Sequence, residues 1–129
     1  MASPGILIVQ DLALSGLHLA VIGINCLGWI HPSTRRLQRF VLLLTALSWF
    51  VLGATRGWGY CVLTDWQWDV KHSLGQGPLP PSYIHYLIHT VMGVPIEPFW
   101  TDVLTVSVFA AVVGITIGQV YRERKLKIP

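Results

Sequence analysis

Asp11, Ser15, His18 and Asn25 fall at offsets of zero, four, seven and fourteen residues, a spacing that puts all four on one face of an α-helix. The run that holds them is otherwise apolar, so an imidazole is carried to a depth where lipid is expected. A polar side chain facing hydrocarbon is costly, and such a face turns instead toward protein or a small wet cavity. Three kinds of chemistry suit His18 there: axial ligation of haem, carriage of a proton, and a hydrogen bond to a quinone or lipid headgroup. A fourth reading needs no ligand, only an interhelical hydrogen bond worth about 0.6 to 2 kcal/mol. Asp11 lies roughly 10 Å from His18 along a helix axis, so only Ser15 or a water can link them.

His85 and His89 share a helical face at i and i+4, the spacing at which two imidazoles bind one zinc ion. Two ligands are not a site; His72 or Asp69 would have to join them across a proline-rich turn, and no glutamate follows His85 as in a metalloprotease helix. A bis-histidine haem would need His85 or His89 to dip inward toward His18. The two cysteines, Cys26 and Cys61, are placed about 20 to 30 Å apart by helix rise, far beyond the reach of a disulfide. Cys61 then stands as a thiol at the membrane surface, open to packing, lipidation, an intermolecular bridge or metal ligation. Thr64 and Gln67 have the spacing of a capping box, with Asp65 in the first helical turn. No P-loop, Gly-x-Ser-x-Gly elbow, Cys-x-x-Cys or Cys-x-x-Cys-His motif occurs, which points away from an enzyme.

The elements that must position these groups are membrane spans. Hydrophobic residues make up 53% of the chain and charged residues only 12%, with a mean hydropathy of +0.57. Long apolar stretches run over 12–30, 40–53 and 103–120, and the first nearly supplies alone the roughly 20 residues that cross a bilayer. The expected fold is all-α, an integral membrane bundle of three transmembrane helices over about 5–30, 38–56 and 100–121. A short helical cap over 57–99 completes it, and 1–129 is one membrane domain. The first span is expected to be retained, because residues 1–10 lack a positive n-region and Asp11 interrupts the apolar run.

Arg35, Arg36 and Arg39 between the first two spans, and Arg122, Arg124, Lys125 and Lys127 after the last, mark cytoplasmic ends. Three crossings satisfy both clusters, with the N-terminus outside, the C-terminus in the cytoplasm, and a bacterial inner membrane as the setting. The net charge of +3 therefore reads as topology signal, and nucleic acid is not an expected partner. Trp58, Tyr60, Trp66, Trp68, Tyr83, Tyr86 and Trp100 then form an outer aromatic belt. Within the cap, 65–74 and 82–92 are helix-compatible and 75–81 breaks them with glycines and prolines. The rival is a fourth crossing over 83–96, which is short, holds two histidines and would put the basic tail outside.

The box Cys61-Val62-Leu63-Thr64-Asp65-Trp66-Gln67, with Gly75 and then Ile84 and Tyr86, resembles a family of small bacterial multi-span membrane proteins described only as a domain of unknown function. Its pattern runs Cys-Pro-Leu-Thr-x-x-Glu, Gly, Phe-Ile-x-x-Tyr, with a histidine in the first span matched by His18. Val62 replaces the proline and Gln67 the glutamate, so an acid or metal-ligand role at that position gives way to hydrogen bonding alone. The resemblance implies the architecture and points to Cys61 and His18, and it implies no reaction.

Small residues at Gly16, Ala20 and Gly23, and at Ala110, Gly114 and Gly118, allow close helix approach. A chain this small buries little surface alone. The expected function is a non-catalytic accessory or structural subunit of a larger membrane complex, with the lipid bilayer and other membrane subunits or further copies as partners. The alternative is a small haem-, quinone- or lipid-binding protein whose site gathers His18, Ser15 and Asn25 with His85 or His89.

Overall fold

The computed structural model describes residues 3–127. It is all-helical, with 80% of the chain in helix and no strand among the described residues. Helix α1 spans Pro4–Leu27; Ser3 caps it by accepting the Ile6 N–H at 3.3 Å, and Pro4 sits in its first turn, where an N–H is not needed. It stops at Gly28, where α2 comes so close that a Cβ would lie 2.6 Å from the Cβ of Gln38. Helix α2 (Pro32–Arg56) opens with one tight turn and widens into a π-type stretch over Leu47–Leu52. Gly57, at φ 111°, ends it in a conformation that a side chain would strain. The last helix, α5, spans Pro98–Lys127. The helices Pro4–Leu27, Pro32–Arg56 and Pro98–Leu126 are long and apolar enough to cross a membrane.

Between α2 and α5 lies the cap. Helix α3 spans Val62–Ser73, starting three residues before the expected 65 because the chain is already helical at the box. It ends in a glycine motif: Gly75 takes φ 79°, its N–H reaches the His72 carbonyl at 3.0 Å, and the Gln76 N–H reaches the Lys71 carbonyl at 3.0 Å. Helix α4 covers 83–91, one α-turn from Tyr83 followed by a π-type stretch to Val91. Its residues rise roughly 13 Å, less than half of a bilayer core, and it belongs to the cap and not to a fourth crossing.

α1 is the hub on which α2, α3 and α5 pack. The interior is mostly polar: Leu14, Leu42, Val70, Tyr83 and Val112 are the buried apolar residues, against buried His18, Gln38, Thr64, Gln67, Lys71, His85, Thr101 and Thr116. That inversion suits a bundle whose outward faces meet hydrocarbon, where association rests on close packing and interhelical hydrogen bonds. At the arginine-rich end, fully buried Gln38 donates to Thr116 Oγ1 at 3.1 Å, tying α2 to α5. There Arg39 meets Glu123 through two hydrogen bonds of 2.9 Å.

Candidate functional site

At the cap end, α1 turns Asp11, Ser15 and His18 toward α3. The matching face of α3 carries Thr64, Gln67 and Lys71 at helical spacing, all buried. Gln67 is fully buried, and its Nε2 donates to Ser15 Oγ at 2.6 Å and to Asp11 Oδ1 at 2.9 Å. The capping-box reading is therefore corrected. Cys61, not Thr64, is the N-cap of α3 and makes no side-chain cap bond, while Thr64 and Gln67 lie inside the helix and face α1.

One turn beyond Gln67, Lys71 Nζ reaches Asp11 Oδ2 at 3.0 Å and Gln76 Oε1 at 3.3 Å, and stands 5.0 Å from the centre of the Tyr86 ring. Burial pulls this ammonium toward deprotonation, but hydrogen bonds to Asp11 and Tyr86 outweigh it and hold Lys71 above the ordinary lysine value. The cap is thus fastened to the first span by an ion pair and an amide, both shielded from water.

His18 sits two turns up α1 from Asp11, and only 6% of its surface is exposed. Its ring stacks on Tyr83 at 3.8 Å with an 8° interplanar angle. Nε2 lies 3.8 Å from Cys61 Sγ, and Nδ1 is buried without a partner. Cys61 is held from both sides by α2: Ser48 Oγ donates to the Tyr60 carbonyl at 2.9 Å and accepts the Val62 N–H at 3.4 Å. The π-type widening of α2 contributes a further contact, its Trp49 carbonyl accepting the Gly59 N–H at 3.2 Å.

Outside Cys61 lies a cleft of about 320 Å³ lined by Arg56, Tyr60, Cys61, Thr64, Asp65 and Trp68 among others. Tyr60 donates to Asp65 Oδ2 at 2.7 Å, and that bond raises its phenol above the usual tyrosine value. The Arg56 guanidinium lies 5.3 Å from the centre of the Tyr60 ring. Trp68 donates from Nε1 to the Pro80 carbonyl at 2.6 Å, which closes the proline turn over the cleft.

The residues singled out from sequence divide into separate places. Ser15 and His18 meet α3 as a face of α1 should. Asn25 does not join them; two turns further on, it donates to Thr45 Oγ1 on α2 at 2.9 Å. His85 bonds Thr101 Oγ1 on α5 through Nδ1 at 2.9 Å and stacks on the exposed His89 with ring centres 5.3 Å apart. His85 is engaged with α5 and not with His18, so the convergence expected of these histidines does not occur. Among the described residues no three of His, Cys, Asp and Glu gather so as to hold a metal ion. Cys26 and Cys61 are both free thiols.

Sequence reading missed Lys71 and Tyr83. A signal for Lys71 existed: it follows Gln67 by four residues in a cap otherwise rich in rings, and Asp11 is the only acid in the first span. Lys71 is the only lysine or arginine of the 57–99 cap, and the only acid of an apolar span needs a cationic partner.

A family model matches residues 8–121, a stretch that takes in every residue of this site. The chain belongs to that family, described as Protein of Unknown function (DUF2784). No curated protein and no solved structure matches it.

Proposed function

We propose that the chain is a non-catalytic accessory subunit of a bacterial inner-membrane complex, lying with its cap outside and its basic tail in the cytoplasm. One observation carries this reading. The Ala110, Gly114 and Gly118 stripe of α5 is exposed, and a Cβ built on either glycine meets nothing within 4 Å. Val112 and Thr116, on the other side of the same helix, are buried against the bundle. Small residues on a membrane helix lower its surface so that another backbone can approach, and among the described residues no helix does so. The stripe continues toward the cap as an open groove along Phe99, Asp102, Val103, Val106 and Ser107. A transmembrane helix of another subunit is the occupant that this shape suits.

Affinity purification from native membranes followed by mass spectrometry is expected to recover membrane-protein companions. A Gly114→Leu/Gly118→Leu variant should lose them at least tenfold while retaining its helical circular dichroism. Recovery of the chain alone, or full retention of companions by the variant, would overturn the reading. The orientation is checked in the same strain: a tag after Pro129 should resist protease added to sealed cells.

A second reading, a binding site for a lipid or quinone headgroup around His18, is favoured by the cleft that opens beside Cys61 between aromatic walls. It differs from the first in needing no companion protein.

A further inference from the structure

We propose that the cleft beside Tyr60 is a binding site for a zwitterionic lipid headgroup, its phosphate on Arg56 and its primary ammonium on Asp65. This deepens the second reading above and rests on it, with the headgroup seated in the cleft itself, which His18 does not line. Two opposite charges face this space, and neither is neutralised within the protein. Among the described residues Arg56 and Asp65 form no ion pair, with each other or with any other group. Tyr60 stands between them: its hydroxyl donates to Asp65 Oδ2 at 2.7 Å, and Arg56 Nη1 reaches the same hydroxyl at 3.4 Å. The phenol thus links the two charges and keeps them from pairing directly. Asp65 Oδ1 accepts no hydrogen bond among the described residues, and both charged side chains are exposed, so a ligand in the cleft can reach them.

That charge pattern selects the headgroup. A purely anionic one satisfies Arg56 but brings its phosphate up against the Asp65 carboxylate, and a purely cationic one meets the guanidinium. A headgroup with a phosphate and an ammonium two carbons apart answers both, because a guanidinium grips phosphate through its planar fork and a carboxylate accepts from an ammonium N–H. Trp58, Tyr60 and Trp68 line the same cleft, and aromatic faces attract a cation. Trp68 is fixed by its 2.6 Å bond to the Pro80 carbonyl and Tyr60 by Asp65, so these walls stand before a ligand arrives. A primary ammonium suits the site better than a fully methylated one, since only the former can donate to the open Oδ1.

The depth of the two charges agrees. Helix α3 runs from Cys61, beside His18 in the middle of α1, to Lys71, beside Asp11 near the cap end. Asp65 lies one turn along that course. Arg56 ends α2 eight residues beyond Ser48, the residue bonded on both sides of Cys61, a rise of roughly 10 Å toward the cap end. Both charges therefore lie between the level of the thiol and the membrane surface, the zone where tryptophan and tyrosine settle beside headgroups. The acyl chains of a lipid held there can stay in the bilayer.

Full-length protein in detergent micelles is offered an equimolar mixture of phosphatidylethanolamine, phosphatidylcholine and phosphatidylglycerol with identical acyl chains, and retained lipid is read by native mass spectrometry. Phosphatidylethanolamine is expected to be retained about tenfold over phosphatidylglycerol, with phosphatidylcholine between them. Asp65→Asn should abolish that preference, because the amide oxygen still accepts from Tyr60 but carries no charge. Arg56→Gln should lower retention of all three lipids. Asp69→Asn, which removes an acid of the same helix outside the cleft, should leave the pattern unchanged. All three positions are exposed, and circular dichroism checks that each variant keeps its helix. Phosphatidylglycerol retained as well as phosphatidylethanolamine or better, or a preference that persists in Asp65→Asn, overturns the proposal while the headgroup reading stands. Unchanged retention in Arg56→Gln overturns the phosphate contact, and no retained lipid of any class overturns the proposal and the headgroup reading together.

Discussion

Replacing Lys71 with methionine is expected to lower the unfolding free energy by about 3 to 5 kcal/mol, the cost of leaving a buried charge without its partner. The partner is Asp11, whose side chain is 15% exposed and whose Oδ2 lies 3.0 Å from Nζ. Methionine keeps most of the length of the stem and its packing near Tyr86, so the loss reports the ammonium's contacts, the ion pair with Asp11 and the weaker bond to Gln76 Oε1 at 3.3 Å. Only the amide of Gln67 then remains to Asp11, at 2.9 Å from Oδ1. Adding Asp11→Asn should recover most of the loss, because a neutral amide still accepts from Gln67 and no charge remains unpaired. Equilibrium unfolding in detergent micelles, followed by circular dichroism, measures both variants. A single variant as stable as wild type would mean that the cap is held to α1 by something other than this pair.

The same pair fixes a pH dependence. Lys71 is held above its ordinary value in the folded chain, so its contribution is fully present below the unfolded lysine value of about 10.5 and fades as pH rises past it. Stability due to this pair is therefore flat through neutral pH on the alkaline side and declines only above about 10.5. The methionine variant should lack that alkaline decline.

The spans were legible because length and hydropathy alone fix them: the stretches read as 5–30, 38–56 and 100–121 correspond to Pro4–Leu27, Pro32–Arg56 and Pro98–Leu126. The face formed by Asp11, Ser15 and His18 was legible because helical periodicity is local. What that face meets was not, since Gln67 and Lys71 approach it across more than fifty residues of chain. The capping-box spacing misled for a related reason. Thr64 and Gln67 satisfy a local pattern, but a buried glutamine gains more from Asp11 and Ser15 than from its own helix end, and the cap passes to Cys61. Asn25 shares the face of His18 in projection, yet two turns of rise separate their surroundings, one facing α2 and the other the cap. The histidine pair failed on direction: His85 finds Thr101 before it can find His18. The wide turns at Leu47–Leu52 and Tyr86–Val91 have no sequence mark comparable to proline or glycine.

Gln67→Glu is expected to cost about 3 kcal/mol at neutral pH and to be nearly silent in acid, a signature that only a buried carboxylate produces. Gln67 is fully buried, and its Nε2 lies 2.9 Å from Asp11 Oδ1, so a glutamate there sets two carboxylates around one ammonium. Lys71 is already 3.0 Å from Asp11 Oδ2, and it cannot neutralise both. Repulsion and desolvation therefore raise the folded-state value of the introduced carboxyl above the unfolded glutamate value of about 4.3. For an acid shifted upward, the folded state holds a proton that the unfolded state releases. Stability is then greatest below about pH 4.3 and falls by up to about 1.4 kcal/mol per unit as pH rises, until the folded group also ionises. In acid the protonated side chain can still donate one hydrogen bond to Asp11 or Ser15, which is why the loss nearly vanishes there. Gln67→Leu is the control, since it removes the same donor without adding a titrating group, and its deficit should not follow this slope. Denaturant unfolding from about pH 4 to 8, a window that brackets the rise from the unfolded glutamate value, compares the two. A glutamate variant whose deficit stays constant or shrinks with rising pH would show that Lys71 serves both carboxylates and that the pocket between α1 and α3 accepts a second negative charge.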